Sequence, residues 1–227
     1  MEKPIFPSKY MRITQGYDEG THKSSFAIDN ADKDSGISDI YAPFTGIIKK
    51  IYQNDANEVW LESLEKVEYP DGTKDYMTIL FAHNNDVSNL FVGKKINQNE
   101  AFYKEGTKGN ASGNHCHIEC GQGKFNGTGW HKNAAGYYSI NNSKRPEECL
   151  WLDDSIKILD SHNYSWKRIE KSTEPVEKEE KPPVKEEDNK NPEKDEEKEY
   201  PKKFKYVCEK DDLYGIYLKK GETLYLE

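Results

Sequence analysis

Before residue 169, apolar positions come in short runs that alternate with polar ones: "SSFAIDNA", "IYAPFTGIIKKIYQ", "EVWLESLEKVEY", "DYMTILFAH" and "NHCHIEC". A period of two is that of a β-strand, whose successive side chains point to opposite faces of the sheet. Asp-, Gly- and Asn-rich stretches separate the runs. In "YPDGTKD", Asp71-Gly72 between two alternating segments predicts a hairpin. No segment longer than a couple of turns carries a 3.6-residue stripe, and "DVSNLF" is the one place where a helical turn is expected. Residues 121–150 are rich in Gly, Asn and Trp and predict a long, loop-dominated finish, packed on the sheet by Trp130, Tyr137, Tyr138 and Trp151. A final strand is expected from "SIKILDSHNYSWKRI". The pattern is that of a mainly β domain over 1–168.

The alternation stops at "EKSTEPVEKEEKPPVKEEDNKNPEKDEEKE", from Glu170 to Glu199. This run has no aromatic residue, and its only large apolar residues are Val176 and Val184. It buries too little apolar surface to offset chain entropy, so residues 169–201 are expected to be a disordered, solvated linker. Most of the formal net charge of −8 resides there. Composition agrees: 34% hydrophobic against 33% charged residues is too polar for a uniformly packed chain. Alternation returns in "LYGIYL" and "TLYLE", joined by "KKGE", which predicts a small β segment over 202–227: a hairpin preceded by one more strand. Fewer than about 40 residues rarely fold alone, so this segment is expected to dock on the first domain, pair with another copy or bind a partner.

No N-terminal segment has the basic start and apolar run of a signal peptide, and none approaches the ~20 apolar residues of a membrane span. The expectation is a chain made in the cytoplasm, without membrane insertion and without a nucleic-acid partner. Cys116, Cys120, Cys149 and Cys208 lack C-x-x-C pairing and are sparse for a disulfide scaffold, so they are expected to be reduced.

The chemistry lies in "GNHCHIEC". On a strand, His115, His117 and Glu119 share one face while Cys116, Ile118 and Cys120 share the other. An H-x-H pair is equally at home on an edge strand, and metal use needs ligands from elsewhere. Upstream, "GYDEGTHKSSFAIDNAD" offers His22 and Asp29. Two histidines and one aspartate with a free fourth position make the ligand set of a catalytic zinc site, here His22, Asp29 and His117. Seven residues of straight strand would span ~23 Å, so Lys23-Ser24-Ser25 must loop back for both ends to reach one ion. His83 and His115 are the candidates for catalytic work beside it. Glu119 is either a group that orients a ligand or a structural glutamate.

Four stretches in order resemble the lysostaphin/LytM-type zinc metallopeptidases, which cut peptide bonds in bacterial peptidoglycan. They are "ITQGYDEGTHKSSFAID", "DIYAPFTGIIKKI", "MTILFAHNNDVSNLFVGKKINQNEAF" and "EGTKGNASGNHCHIEC", and they cover most of residues 10–120. The resemblance implies an antiparallel β-sheet groove with long loops, one Zn2+ held by His22, Asp29 and His117, and His83 and His115 flanking the water. It departs from the family in three places: His22 and Asp29 are seven rather than four residues apart, Ile118 replaces a Phe, and Cys116 takes a position usually apolar. The implied function is a zinc-dependent endopeptidase acting on stem or cross-bridge peptides of peptidoglycan. Asn110, Ser112 and Tyr10 are candidates to line its groove, and His131 and His162 fall outside the motifs. Together with the linker and the small terminal segment, the chain resembles a phage endolysin, stored in the cytoplasm and acting on the Gram-positive cell wall after release, with 202–227 binding wall polymer or serving self-association. The rival expectations are a virion tail-associated wall hydrolase and a catalytically silent peptidoglycan-binding or scaffold homologue.

Overall fold

The computed structural model describes residues 1–170 and two strands near the C-terminus. The first strands are β1 (Tyr10–Gln15), β2 (Ile28–Asn30), β3 (Asp39–Tyr41), β4 (Gly46–Tyr52), β5 (Glu58–Ser63), β6 (Val67–Glu68), β7 (Lys74–Asp75) and β8 (Met77–Ala82). There follow β9 (Lys95–Ile96), β10 (Ala101–Lys104), β11 (Cys116–Gln122), β12 (Trp130–Lys132), β13 (Tyr138–Ile140), β14 (Ser143–Lys144), β15 (Lys157–Asp160), β16 (Phe204–Val207) and β17 (Thr223–Leu226). Among the described residues the only helical pieces are 3-10 turns at Gly20–His22 and Pro146–Glu148. The mainly β class read from the alternation is the one found.

The central sheet runs β15-β1-β2-β11-β8-β5-β4-β9, with β14 pairing β11 off this path. Every pairing in it is antiparallel except β1 with β15, which is parallel. Period-two alternation sorts its side chains. Ile28, Val59, Leu61, Ile79, Phe81, Cys116, Ile118 and Cys120 enter one buried cluster with Met11, Phe44, Ile48 and Tyr69. On the opposite face Trp60, Leu80 and Ile140 form a second cluster, with Tyr52, Phe125 and Trp130 packed against it. Burying one large apolar side chain is worth about 1.5–3 kcal/mol, so the first cluster dominates the packing and fixes the register of β8 and β11.

The Asp71-Gly72 turn joins β6 to β7 as an antiparallel pair, with Gly72 at φ +87° and Asp71 Oδ1 accepting from the Thr73 N–H at 2.8 Å. The turn and the final strand expected from the sequence are found, and one packing expectation needs correction. "DVSNLF" forms a single hydrogen-bonded turn, with the Leu90 N–H donating to Val87 O at 3.0 Å. Tyr137 and Tyr138 do not pack the finish onto the sheet; they stand 45% and 65% exposed at the start of β13, whereas Trp151 is buried. The expected final strand before the linker is β15, which is exposed on both faces and is held by its pairing with β1.

The chain divides into two compact units, Met1–Thr173 and Glu174–Glu227. In the second, β16 pairs antiparallel with β17, Phe204 opposite Leu226. The linker expected at 169–201 and the "LYGIYL" strand lie largely or wholly outside the described residues, as does Cys208. Cys116, Cys120 and Cys149 are free thiols in the core.

Candidate metal centre

Three neighbouring strands build the site. Asp29 of β2 lies directly opposite His117 of β11, and Ala82 at the end of β8 lies opposite His117 on the other side. Because Cys116, Ile118 and Cys120 are wholly buried in the core, His117 and Glu119 emerge on the other face. The seven-residue interval from His22 to Asp29 does fold back. Gly20–His22 makes one 3-10 turn, Ser24 adopts φ +60°, and the Ser25 N–H donates to His22 O at 2.9 Å. The Asp18 side chain accepts from the Ser24 N–H at 3.1 Å and closes the loop.

The result is a triangle of donor atoms. His22 Nε2 and His117 Nδ1 are 3.1 Å apart, and Asp29 Oδ1 is 3.2 Å from the first and 3.1 Å from the second. His22 Nδ1 lies 3.0 Å from Gly16 O. A carbonyl accepts only a donor, so Nδ1 carries the hydrogen and Nε2 presents a lone pair. His117 Nε2 lies 3.2 Å from Glu119 Oε1, which fixes the complementary tautomer and turns its Nδ1 lone pair inward. Glu119 is 2% exposed, and its other oxygen accepts from the Ile140 N–H at 3.0 Å. Three lone pairs thus converge on one point, an arrangement that repels itself unless a cation sits between them. Ligand atoms around a tetrahedral zinc at about 2.0–2.1 Å stand about 3.3–3.4 Å apart, close to the spacing here, so the donor set fits such an ion.

The electrostatics show the same need for positive charge. Burial works against the charged form of Asp29, yet the adjacent His117 and His22 imidazoles, wherever one of them carries a further proton, hold its carboxyl well below the usual carboxylate range. Burial would lower His117, but the Asp29 and Glu119 carboxylates outweigh it and raise the imidazole to about 10. A proton on His117 can therefore do part of the work of a metal ion.

His83 and His115 stand next to the triangle, their ring centroids 4.5 Å apart, with His83 5.8 Å from the His117 ring. His83 Nδ1 is 2.7 Å from Lys108 O, which leaves Nε2 as an acceptor without a hydrogen-bond partner among the described residues. Burial, helped by the neighbouring His117 charge, lowers His83 to about 4, so it is neutral at neutral pH. Its φ of +83° is rare for a residue with a Cβ. The neighbouring loop approaches it so closely that a Cβ on Gly106 would lie 2.3 Å from His83 O. His115 Nδ1 faces Gly113 O at 2.8 Å, and its Nε2 is 3.6 Å from Asp29 Oδ2.

These five residues open into a cleft of about 420 Å³ that Asn110 and Ser112 also line, as expected. Tyr10 does not; its ring lies under Lys157 Nζ, 5.4 Å away, at the β1–β15 edge. His131 lines a separate hollow with Asp18, Ser24 and Phe26. Sequence reasoning missed Glu58, whose carboxyl lines the cleft with one oxygen lacking a hydrogen-bond partner among the described residues. Burial, reinforced by Asp55, pushes it up to about 7.

No protein-family model matches the sequence. Solved structures overlap it in part. The antimicrobial peptidase lysostaphin from Staphylococcus simulans is 15% identical with a TM-score of 0.40, covering 60% of this chain and 65% of that one. The catalytic domain of the prophage-encoded M23 protein EnpA from Enterococcus faecalis is 17% identical with a TM-score of 0.36, covering 54% of this chain and 84% of that one. A chain of the SpoIIQ-SpoIIIAH pore-forming complex is 24% identical with a TM-score of 0.39, covering 53% and 84%.

Proposed function

We propose that the chain is a zinc-dependent endopeptidase that hydrolyses peptide bonds in the stem or cross-bridge peptides of bacterial peptidoglycan. One observation carries the metal chemistry: His22 Nε2, Asp29 Oδ1 and His117 Nδ1 converge to within 3.2 Å, with both imidazoles already oriented by Gly16 O and Glu119. The choice of substrate rests on the four ordered sequence stretches that resemble lysostaphin/LytM-type peptidases. Zinc held by His22, Asp29 and His117 would supply a water acidified enough to attack at neutral pH and a Lewis acid for the carbonyl.

The protein's own groups supply the rest. His83, neutral and with Nε2 unengaged, accepts a proton from the nucleophile. His115, in its protonated form, offers Nε2–H to the oxyanion of the tetrahedral intermediate and afterwards to the leaving amine. Glu119 holds the tautomer of His117 throughout. The cleft beside them seats an extended peptide. In the same proposal the charged, Pro-rich 169–201 segment and 202–227 tether this unit to its insoluble substrate, as in a phage endolysin. A tail-associated hydrolase is the rival use, separated by whether the protein co-purifies with virions.

A catalytically silent scaffold is the contrary reading. It is separated from the enzyme by incubating the zinc-loaded chain with purified Gram-positive peptidoglycan and counting newly released amino groups. Release that disappears in His117→Ala and His115→Ala supports hydrolysis. Binding to the wall without release supports the scaffold.

A further inference from the structure

The segment after β15 reaches back to the loop that carries His22. His162 and Asn163 adopt successive left-handed φ values of +55° and +58°, a tight reversal that sets His162 and Tyr164 beside Gly16 and Tyr17. His162 Nε2–H donates to Glu19 Oε1 at 2.9 Å, and the other oxygen of that carboxylate accepts from the Gly16 N–H at 3.0 Å. The hydroxyl of Tyr164 accepts from the Tyr17 N–H at 3.1 Å, while the Tyr17 and Tyr164 rings stack 4.3 Å apart at 9°. The fit over Gly16 is close: a Cβ there would lie 2.2 Å from the Tyr164 hydroxyl and 2.7 Å from the His162 ring. Gly16 O is the acceptor that orients His22. A continuous chain of contacts therefore runs from His162 through Glu19 and the backbone of Gly16 to the ring of His22, and the peptide that supplies Gly16 O is the one whose Tyr17 N–H donates to the Tyr164 hydroxyl.

We propose that His162 and Tyr164 are positioning residues for the metal centre: through Glu19, Gly16 and Tyr17 they fix the ring of His22, and so set the affinity of the site for zinc. The proposal rests on the reading of His22 as a ligand. The cost of leaving this strap out follows from general experience with partners that orient a ligand, whose loss weakens metal binding about 10–100-fold. The strap is remote in sequence from every ligand, and the reversal that makes it carries no metal-binding pattern of its own.

The test uses the full chain and three variants: His162→Ala, His162→Gln and Tyr164→Phe. Zinc affinity is measured by competition with a chromogenic chelator, and the His22 Nδ1–H resonance is followed by nitrogen-resolved NMR in metal-free protein. The expected result is about tenfold weaker zinc binding in His162→Ala and Tyr164→Phe, with His162→Gln, which keeps a donor for Glu19, within about threefold of the parent. The His22 resonance should broaden in the first two variants and persist in the third. If all three keep both the parent affinity and the parent resonance, the strap does not position His22 and the proposal falls. If the parent binds no zinc but the resonance is lost in His162→Ala, the positioning stands and the metal reading falls.

Discussion

At the scale of single residues, the site is governed by which nitrogen of each imidazole holds a hydrogen. Gly16 O and the Glu119 carboxylate each take one N–H, so His22 and His117 turn opposite nitrogens toward Asp29. Glu119→Ala should leave the fold in place but weaken zinc binding about 10–100-fold, measured by chelator competition. Glu119 was left undecided by the sequence because alternation names its face and not what covers that face; the cover is the Ile140 N–H of β13, 21 residues on. That His22, Asp29 and His117 could meet was legible because ligand chemistry restricts residue type so strongly, whereas the Gly16 acceptor was not, since a backbone carbonyl leaves no mark in a sequence. A second prediction concerns Glu105, wholly buried with Oε1 lacking a hydrogen-bond partner among the described residues. Burial, with a contribution from Asp32, raises it to about 8 against 4.5 for the ordinary glutamate. Between those values the native state binds more protons than the unfolded chain, so stability falls as pH rises from about 5 to 8. Each unit of separation is worth about 1.4 kcal/mol. Denaturant unfolding at pH 5 and pH 8 should show that loss, and Glu105→Gln should flatten it; a parent curve already flat across this window would contradict the assignment.

At the scale of elements, β11 joins core to chemistry. Its Ile118 packs in the main cluster while its neighbours on either side face the site or flank it, so damage to the core face should spread to His117. Ile118→Ala is expected to cost about 2–5 kcal/mol in urea unfolding. Gly106→Ala tests the loop against His83: the added Cβ must push the His83 carbonyl, and peptidoglycan hydrolysis should fall by more than zinc affinity does. Equal losses in both would mean that the loop supports the ligands and not His83. The strands and the Asp71-Gly72 hairpin were legible because their signals are local. The pairing of β15 with β1, about 145 residues apart, was not, because it depends on tertiary packing that no local pattern encodes. Tyr137 and Tyr138 were misread for a related reason: aromatic content marks a segment that can pack, but a two-stranded finish has too little sheet to cover them all.

At the scale of the whole molecule, the unit Met1–Thr173 holds every candidate ligand, the cleft and the strap. Under the proposed function zinc would bind the folded arrangement and not the scattered ligands of the unfolded chain, so it should stabilise that unit by mass action. At a free zinc concentration 100 times Kd the gain is about 2.7 kcal/mol. Chelation should accordingly lower the thermal midpoint, and added zinc should restore it. A chain ending at residue 173 should cleave a soluble peptide as fast as the full chain but clear insoluble walls more slowly, as expected of a lost tether.

The most direct measurement is anomalous diffraction at the zinc edge from crystals of the zinc-loaded protein. A single peak about 2.0–2.2 Å from His22 Nε2, Asp29 Oδ1 and His117 Nδ1 is the expected result. Zinc bound elsewhere, or those three side chains carrying no anomalous density at saturating zinc, would contradict the account.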